Sequence, residues 1–124
     1  MKRKKRNELE HLLQCAVIEW RETAKHHIKE LWCLYAVPNG GNRNIVVAIK
    51  MKHEGITAGI PDLHLPVARG GFHSLYVEIK TPTGRYTDSQ KEMIPRLEEQ
   101  GNKVITCRSS QEAIDGIMAY LNER

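Results

Sequence analysis

Asp62, Glu78 and Lys80 are the residues whose types and spacing could do chemistry in this chain. Pro61-Asp62 and Glu78-Ile79-Lys80 lie one β-hairpin apart, and Arg69-Gly70-Gly71-Phe72 supplies a turn between them. Side chains alternate faces along a strand. The even positions carry Asp62, His64, Tyr76, Glu78 and Lys80, whereas the odd ones carry Leu63, Leu65, Val67, Leu75, Val77 and Ile79, all apolar. A one-residue slip would drive that apolar set into water, so the odd face is expected in the core and the even face carries the charge. Whether Asp62 pairs with Glu78 or with Lys80, the paired numbers sum to an even value and all three groups share one face. Two carboxylates held close with little but a lysine nearby repel each other. A divalent cation commonly keeps such a pair ionised, and ligation by oxygen alone suits Mg²⁺ or Mn²⁺ better than zinc. The bland reading of the same pattern is a solvated hairpin face with an ordinary Asp–Glu–Lys charge pattern.

The flanking elements must hold that face in place. Leu9, Leu12, Leu13, Ala16, Val17, Trp20, Ala24, Ile28 and Leu31 recur at helical spacing and predict an amphipathic helix from residue 7 to about 32, opened by Asn7 with Glu10. A short strand is expected over residues 34–37, ended by the turn signal Pro38-Asn39-Gly40-Gly41. In residues 42–54, Ile45, Val46 and Val47 favour strand, but Lys50, Met51, Lys52 and the terminal Gly55 favour the helix expected here. Thr87-Asp88-Ser89-Gln90 has the form of a capping box, with Gly101 as the stop and Pro95 expected to bend the helix between them. Residues 103–107 read as a strand. Ser109-Ser110-Gln111-Glu112 opens a last helix with Ile114, Ile117, Met118 and Leu121 as one stripe. The order helix, strand, helix, hairpin, helix, strand, helix implies an α/β domain. Its mixed central sheet is flanked by helices and ends in a right-handed parallel crossover.

A chain of 124 residues is expected to form one domain, large enough for a core without disulfides or a structural metal. Residues 1–6 form a basic tail ahead of a single domain spanning 7–124. No apolar run approaches the ~20 residues that a membrane span needs. Met1-Lys2-Arg3-Lys4-Lys5-Arg6 has no apolar stretch behind it, so no secretory signal is expected. Cys15, Cys33 and Cys107 lack the paired spacing of a zinc site and read as buried, reduced thiols. The net charge of +4 and the basic N-terminus favour a polyanionic partner modestly.

Taken together, Gly59-Ile60-Pro61-Asp62, Glu78-Ile79-Lys80 and Gln90, preceded by a helix bearing Glu10 and Gln14, resemble the PD-(D/E)xK nuclease superfamily. The likeness is greatest to its VRR-NUC branch, the virus-type replication-repair nuclease domain, and to the small stand-alone bacteriophage type. It runs from about residue 7 to residue 121 and includes Val37-Pro38-Asn39-Gly40-Gly41 and the Gly55-to-Gly59 approach to the aspartate. A lone D…ExK is weak; the combination in this order is specific. The resemblance implies a restriction-endonuclease-like fold in which Asp62, Glu78 and the Ile79 backbone carbonyl ligate Mg²⁺ or Mn²⁺, with Glu10 completing the shell through water. Lys80 would orient or help deprotonate the attacking water. Gln14 lies one turn beyond Glu10 on the same helix face, and Gln90 matches a glutamine near the lysine. Pro95 is a departure from the pattern and questions how closely Gln90 approaches the site.

The function implied is divalent-metal-dependent endonucleolytic hydrolysis of DNA, selective for branched structures such as four-way junctions, in replication, recombination or repair. The alternative is a non-catalytic nucleic-acid-binding or assembly module with a nuclease-like fold. Expected partners are branched DNA and a second copy in a homodimer, with no membrane, in the cytoplasm of a bacterium or phage-infected host. Glu10 and Gln90 also fit plain helix caps. Asn39 and Arg43 are candidate phosphate contacts, as are Arg85, Arg69 and Lys2 to Arg6. His64 shares the charged face but reads as an ordinary exposed strand histidine.

Overall fold

The computed structural model describes residues 3–38 and 44–124. Helix α1 spans Arg3–Ala24, starting before the expected Asn7, so the basic residues 3–6 are its first turn. It also ends well before the expected residue 32. The chain reverses through His26 and His27 and enters a 3-10 helix, Lys29–Cys33. The cause is burial: Leu31 and Leu34 are 0% and 1% exposed. On a straight helix, Leu31 would lie roughly 10 Å beyond Ala24, past the edge of the core. Arg21 holds the reversal by donating from Nη1 to the Leu34 carbonyl at 2.8 Å.

Strand β1, Tyr35–Ala36, follows, and then helix α2, Ile45–His53. Asn44 caps α2, its side chain accepting from the Val47 N–H at 2.9 Å, and this local bond overrides the strand preference of three successive β-branched residues. The hairpin forms as expected from β2, Leu63–Leu65, and β3, Leu75–Ile79. They run antiparallel with Leu63 opposite Val77, His64 opposite Tyr76 and Leu65 opposite Leu75. Helix α3, Asp88–Glu99, carries Pro95 in its second half, so the first turn that bears Gln90 is intact. Strand β4, Lys103–Cys107, joins β3 in parallel, and helix α4, Ser110–Leu121, closes the domain.

The sheet order is β1-β2-β3-β4, a mixed sheet as expected. Its odd face is the core: Leu63, Leu65, Leu75, Val77 and Ile79 pack with Val17 of α1 and with Ala113, Ile117 and Tyr120 of α4. The buried stripe of α4 is therefore rotated from the expected one, and Ile114, Met118 and Leu121 flank it half-buried. Tyr120 can enter the core because its hydroxyl donates to the Val67 carbonyl at 2.5 Å. The thiols also differ from expectation: Cys107 is buried, Cys15 half-buried and Cys33 exposed. No helix of the described residues is long and apolar enough to cross a membrane.

The rotated stripe separates two substitutions that the sequence would treat alike. Ile117→Ala is expected to cost about 2–5 kcal/mol in a urea unfolding curve, and Met118→Ala less than half as much. Equal losses would contradict this packing.

Candidate active site

The register continues one step beyond Leu63 and Val77, bringing Asp62 opposite Glu78 just outside β2. Two backbone bonds fix this junction. The Val37 N–H donates to the Asp62 carbonyl at 2.8 Å, and the Ile79 N–H donates to Asp62 Oδ2 at 2.7 Å. The N–H and C=O of one strand residue point the same way, so the Ile79 carbonyl is directed toward the aspartate as well. Lys80, just past β3, extends the ladder by donating its N–H to the Cys107 carbonyl at 3.0 Å.

The even face is not a solvated hairpin face. Glu78 is 2% exposed and Lys80 is 5% exposed, and Lys80 Nζ lies 3.4 Å from Glu78 Oε2. Gln90 Nε2 donates to that same oxygen at 2.7 Å. The other end of the Gln90 amide accepts from the Thr87 N–H at 2.9 Å, while Thr87 Oγ1 accepts from the Gln90 N–H. One amide thus closes the helix cap and holds the carboxylate, so the cap and the site are not competing explanations. Gly59 makes this approach possible. It has φ +89°, and a Cβ there would stand 2.6 Å from the Ser89 carbonyl carbon in the first turn of α3.

Glu78 Oε1 has the opposite environment: it is buried and without any hydrogen-bond partner. Burial, and then the Asp62 charge, push the Glu78 carboxyl up to about 8. Asp62 is raised as well, chiefly by burial, although the Ile79 N–H and Lys80 oppose this. Glu10 belongs to the same electrostatic cluster. Burial raises it, Lys80 lowers it, and Asp62 raises it further. Among the described residues, no three His, Cys, Asp or Glu side chains form a ready-made metal cage. The oxygens on offer are the two opposed carboxylates and the Ile79 backbone carbonyl, with Glu10 further out. An orphaned buried carboxylate oxygen beside a second acid is a hard, anionic donor set, which fits a Mg²⁺-sized ion.

The remaining candidates are more scattered. Gln14 is half-buried on α1 and lines a shallow cleft with His11, Cys15 and Ile18. Arg85 is exposed in the loop between β3 and α3. Asn39 and Arg43 lie outside the described residues. Arg69 is not free for a ligand, because Nη2 pairs with Glu30 at 2.5 Å and Nε donates to the Leu121 carbonyl. His64 is half-buried rather than exposed. Its ring stacks on Tyr76, and its nitrogens meet the Tyr35 hydroxyl at 2.8 Å and Ser74 Oγ at 3.0 Å.

Two supporting residues carry no sequence signal. Arg108 Nη1 donates to the carbonyls of Thr81 and Gly84, both at 2.8 Å, and so clamps the loop that leaves Lys80. The Tyr86 ring lies 5.9 Å from Lys80 Nζ, and its hydroxyl bonds to Thr106.

The VRR-NUC domain family model matches residues 2–111. A solved structure described as a VRR_NUC domain protein superposes with a TM-score of 0.78 at 29% identity, covering 92% of this chain and 88% of that one. No curated protein matches the chain.

The burial of Glu78 sets a pH dependence. With its folded value raised to about 8, the native state holds a proton that the unfolded state has released across the window from the ordinary carboxylate range to about 8. Stability therefore falls as pH rises through that window. In metal-free buffer, Glu78→Gln is expected to melt roughly 5–10 °C above the wild type at pH 8.5, with the gap closing near pH 5. A constant gap across pH would refute this assignment.

Proposed function

Because the chain belongs to the VRR-NUC family and so carries a nuclease-type domain, we propose that it is a divalent-metal-dependent DNA endonuclease selective for branched DNA. The observation that carries this reading is the partnerless buried oxygen of Glu78, opposite Asp62 and beside the ammonium of Lys80. Asp62, Glu78 and the Ile79 carbonyl would hold Mg²⁺ or Mn²⁺, with Glu10 reaching it through water. When bound, such an ion neutralises phosphoryl oxygens and lowers the pKa of nearby water.

The chain's own groups do the rest. Gln90 and Lys80 both engage Glu78 Oε2, which leaves the buried Oε1 free to ligate an ion. Lys80, almost completely buried, supplies a positive charge in a medium that screens it poorly. There it favours a developing hydroxide and offsets the charge that grows on the phosphorane-like transition state. Attack in line with the departing 3′ oxygen leaves 5′-phosphate and 3′-hydroxyl ends.

A domain this small has a small DNA footprint, and a symmetric pair of sites suits a junction. Helix α2 supports a homodimer, since none of its residues is buried and Ile45, Val46 and Ile49 are 75%, 71% and 53% exposed. An apolar helix face turned wholly to water is a common mark of an interface. No membrane partner is involved in this reading, and the cytoplasm of a bacterium or infected host is where the substrate lies.

Two experiments test these points. Flap, fork, four-way-junction and linear duplex substrates should be cut only with Mg²⁺ or Mn²⁺, branched ones preferentially. Asp62→Asn, Glu78→Gln and Lys80→Ala should each slow cleavage by about 10²-fold or more. DNA binding by the wild type without cutting in either metal would instead favour the non-catalytic module. Light scattering at micromolar concentration should give a dimer that Ile49→Glu converts to monomer, and a monomeric wild type would sink the dimer.

A further inference from the structure

Tyr35, His64 and Tyr76 stand in one row across β1, β2 and β3, with Tyr35 opposite His64 and His64 opposite Tyr76. The row lies on the even face, two residues along the strands from Asp62 and Glu78, a separation of roughly 7 Å. A chain of hydrogen bonds with a fixed direction holds it. Asn102 Nδ2 donates to the Leu97 carbonyl near the end of α3, and Asn102 Oδ1 accepts from the Ser74 hydroxyl at 2.6 Å. Ser74 has one hydroxyl proton and gives it to Asn102, so its oxygen accepts from His64 Nε2 at 3.0 Å. In the neutral imidazole that leaves Nδ1 as the acceptor for the Tyr35 hydroxyl at 2.8 Å. The His64 ring is clamped further by Tyr76, stacked with centroids 4.1 Å apart, and stands edge-on to Tyr35 at 80°.

A surface tyrosine ordinarily turns its hydroxyl to water. Here the hydroxyl is engaged by His64 while the residue stays 47% exposed, which leaves ring surface open to solvent. β1 is the outer strand of the sheet, so Tyr35 marks the edge of the charged face. A flat apolar plate, immobilised beforehand and set beside two acids, offers a nucleobase a stacking surface at little ordering cost. We infer that Tyr35 stacks on an unpaired base of the substrate DNA, within about two nucleotides of the scissile phosphate. This rests on the nuclease reading and deepens it, because it names the feature of a branched substrate that the domain recognises. A paired base keeps both faces stacked inside the duplex, whereas the bases of a single-stranded arm have an open face to offer. His64 and Ser74 act through the tyrosine ring and are positioning residues.

The test compares Tyr35→Ala, Tyr35→Phe and Trp32→Ala with the wild type on a splayed fork and on a linear duplex. Trp32 is a matched control: it is 61% exposed but stands against Lys25 and His26, just past the end of α1. Anisotropy of fluorescein-labelled DNA in Ca²⁺ gives binding across a salt series, and cleavage is followed in Mg²⁺. Tyr35→Ala is expected to weaken fork binding and raise KM by about tenfold, with kcat and the salt slope nearly unchanged, since a stacked ring releases no counterions. Duplex binding should move by less than about twofold, Tyr35→Phe should keep most of the fork affinity, and Trp32→Ala all of it. An abasic nucleotide is then stepped through the fork arm beside the mapped cut. At one position it should cost the wild type a comparable penalty and cost Tyr35→Ala nothing more. Tyr35→Leu, apolar but not flat, replaces Tyr35→Ala if the latter lowers the melting temperature. Equal losses on fork and duplex, a loss matched by Trp32→Ala, or additive abasic penalties at every position would overturn the inference while leaving an active nuclease. A wild type that neither binds nor cuts the fork would overturn the nuclease reading and this one with it.

Discussion

A carboxylate removed from water at the end of a sheet has to be compensated by its surroundings, and Glu78 sets that demand for this molecule. It is 2% exposed, and the groups that answer it come from its own strand's end and from a neighbouring helix. Lys80 comes from just past the end of β3 and Gln90 from the first turn of α3, whereas Asp62, across the hairpin, adds a second acid that raises the demand. Burying a charge at this depth costs several kcal/mol unless it is paired and hydrogen-bonded. Only half of Glu78 is satisfied, since Oε2 has the Gln90 donor and the Lys80 ammonium beside it and Oε1 has no partner. A fold that leaves a buried carboxylate oxygen unpaired retains a standing preference for a cation at that point.

The arrangement depends on backbone more than on side chains. Gly59, at φ +89°, lets the first turn of α3 lie against the loop that leads into Asp62. That contact fixes where the helix starts, and the Thr87 cap fixes which way Gln90 points. Arg108 performs the matching task on the far side by holding the carbonyls of Thr81 and Gly84. The three chemistry-bearing residues of the hairpin are therefore set by ladder geometry, and their support is set by two loops that carry little regular structure.

The hairpin was legible in the sequence because a period of two leaves no freedom. Once Leu63, Leu65, Leu75, Val77 and Ile79 share the core, Asp62 and Glu78 must share the other face. The helix caps at Thr87 and Ser109 were legible for a similar reason, since a hydroxyl three residues ahead of a backbone donor is local chemistry. What escaped was set by packing at long range. The end of α1 at Ala24 has no glycine or proline to announce it and follows from where Leu31 and Leu34 find room. The stripe on α4 turned because the phenol of Tyr120 found an acceptor in Val67, which hydropathy alone does not reveal. The depth of the even face escaped as well: Glu, Lys and Asp in alternation look solvent-facing until α3 covers them. Their burial is a property of the assembled layers.

The two faces of this sheet divide the physical work. The odd face is apolar and closed by α1 and α4, so it can supply stability without regard to chemistry. The even face keeps what a stable core would exclude: opposed acids, a buried amine and an unsatisfied oxygen. Because the strands are shared, any adjustment of β3 made for packing on one side moves Glu78 on the other. This coupling favours small residues and tight caps around the hairpin ends, where position can be corrected without disturbing the core. The C-terminal half of α1 is packed against that core, while Glu10 in its N-terminal half feels the charges of Lys80 and Asp62.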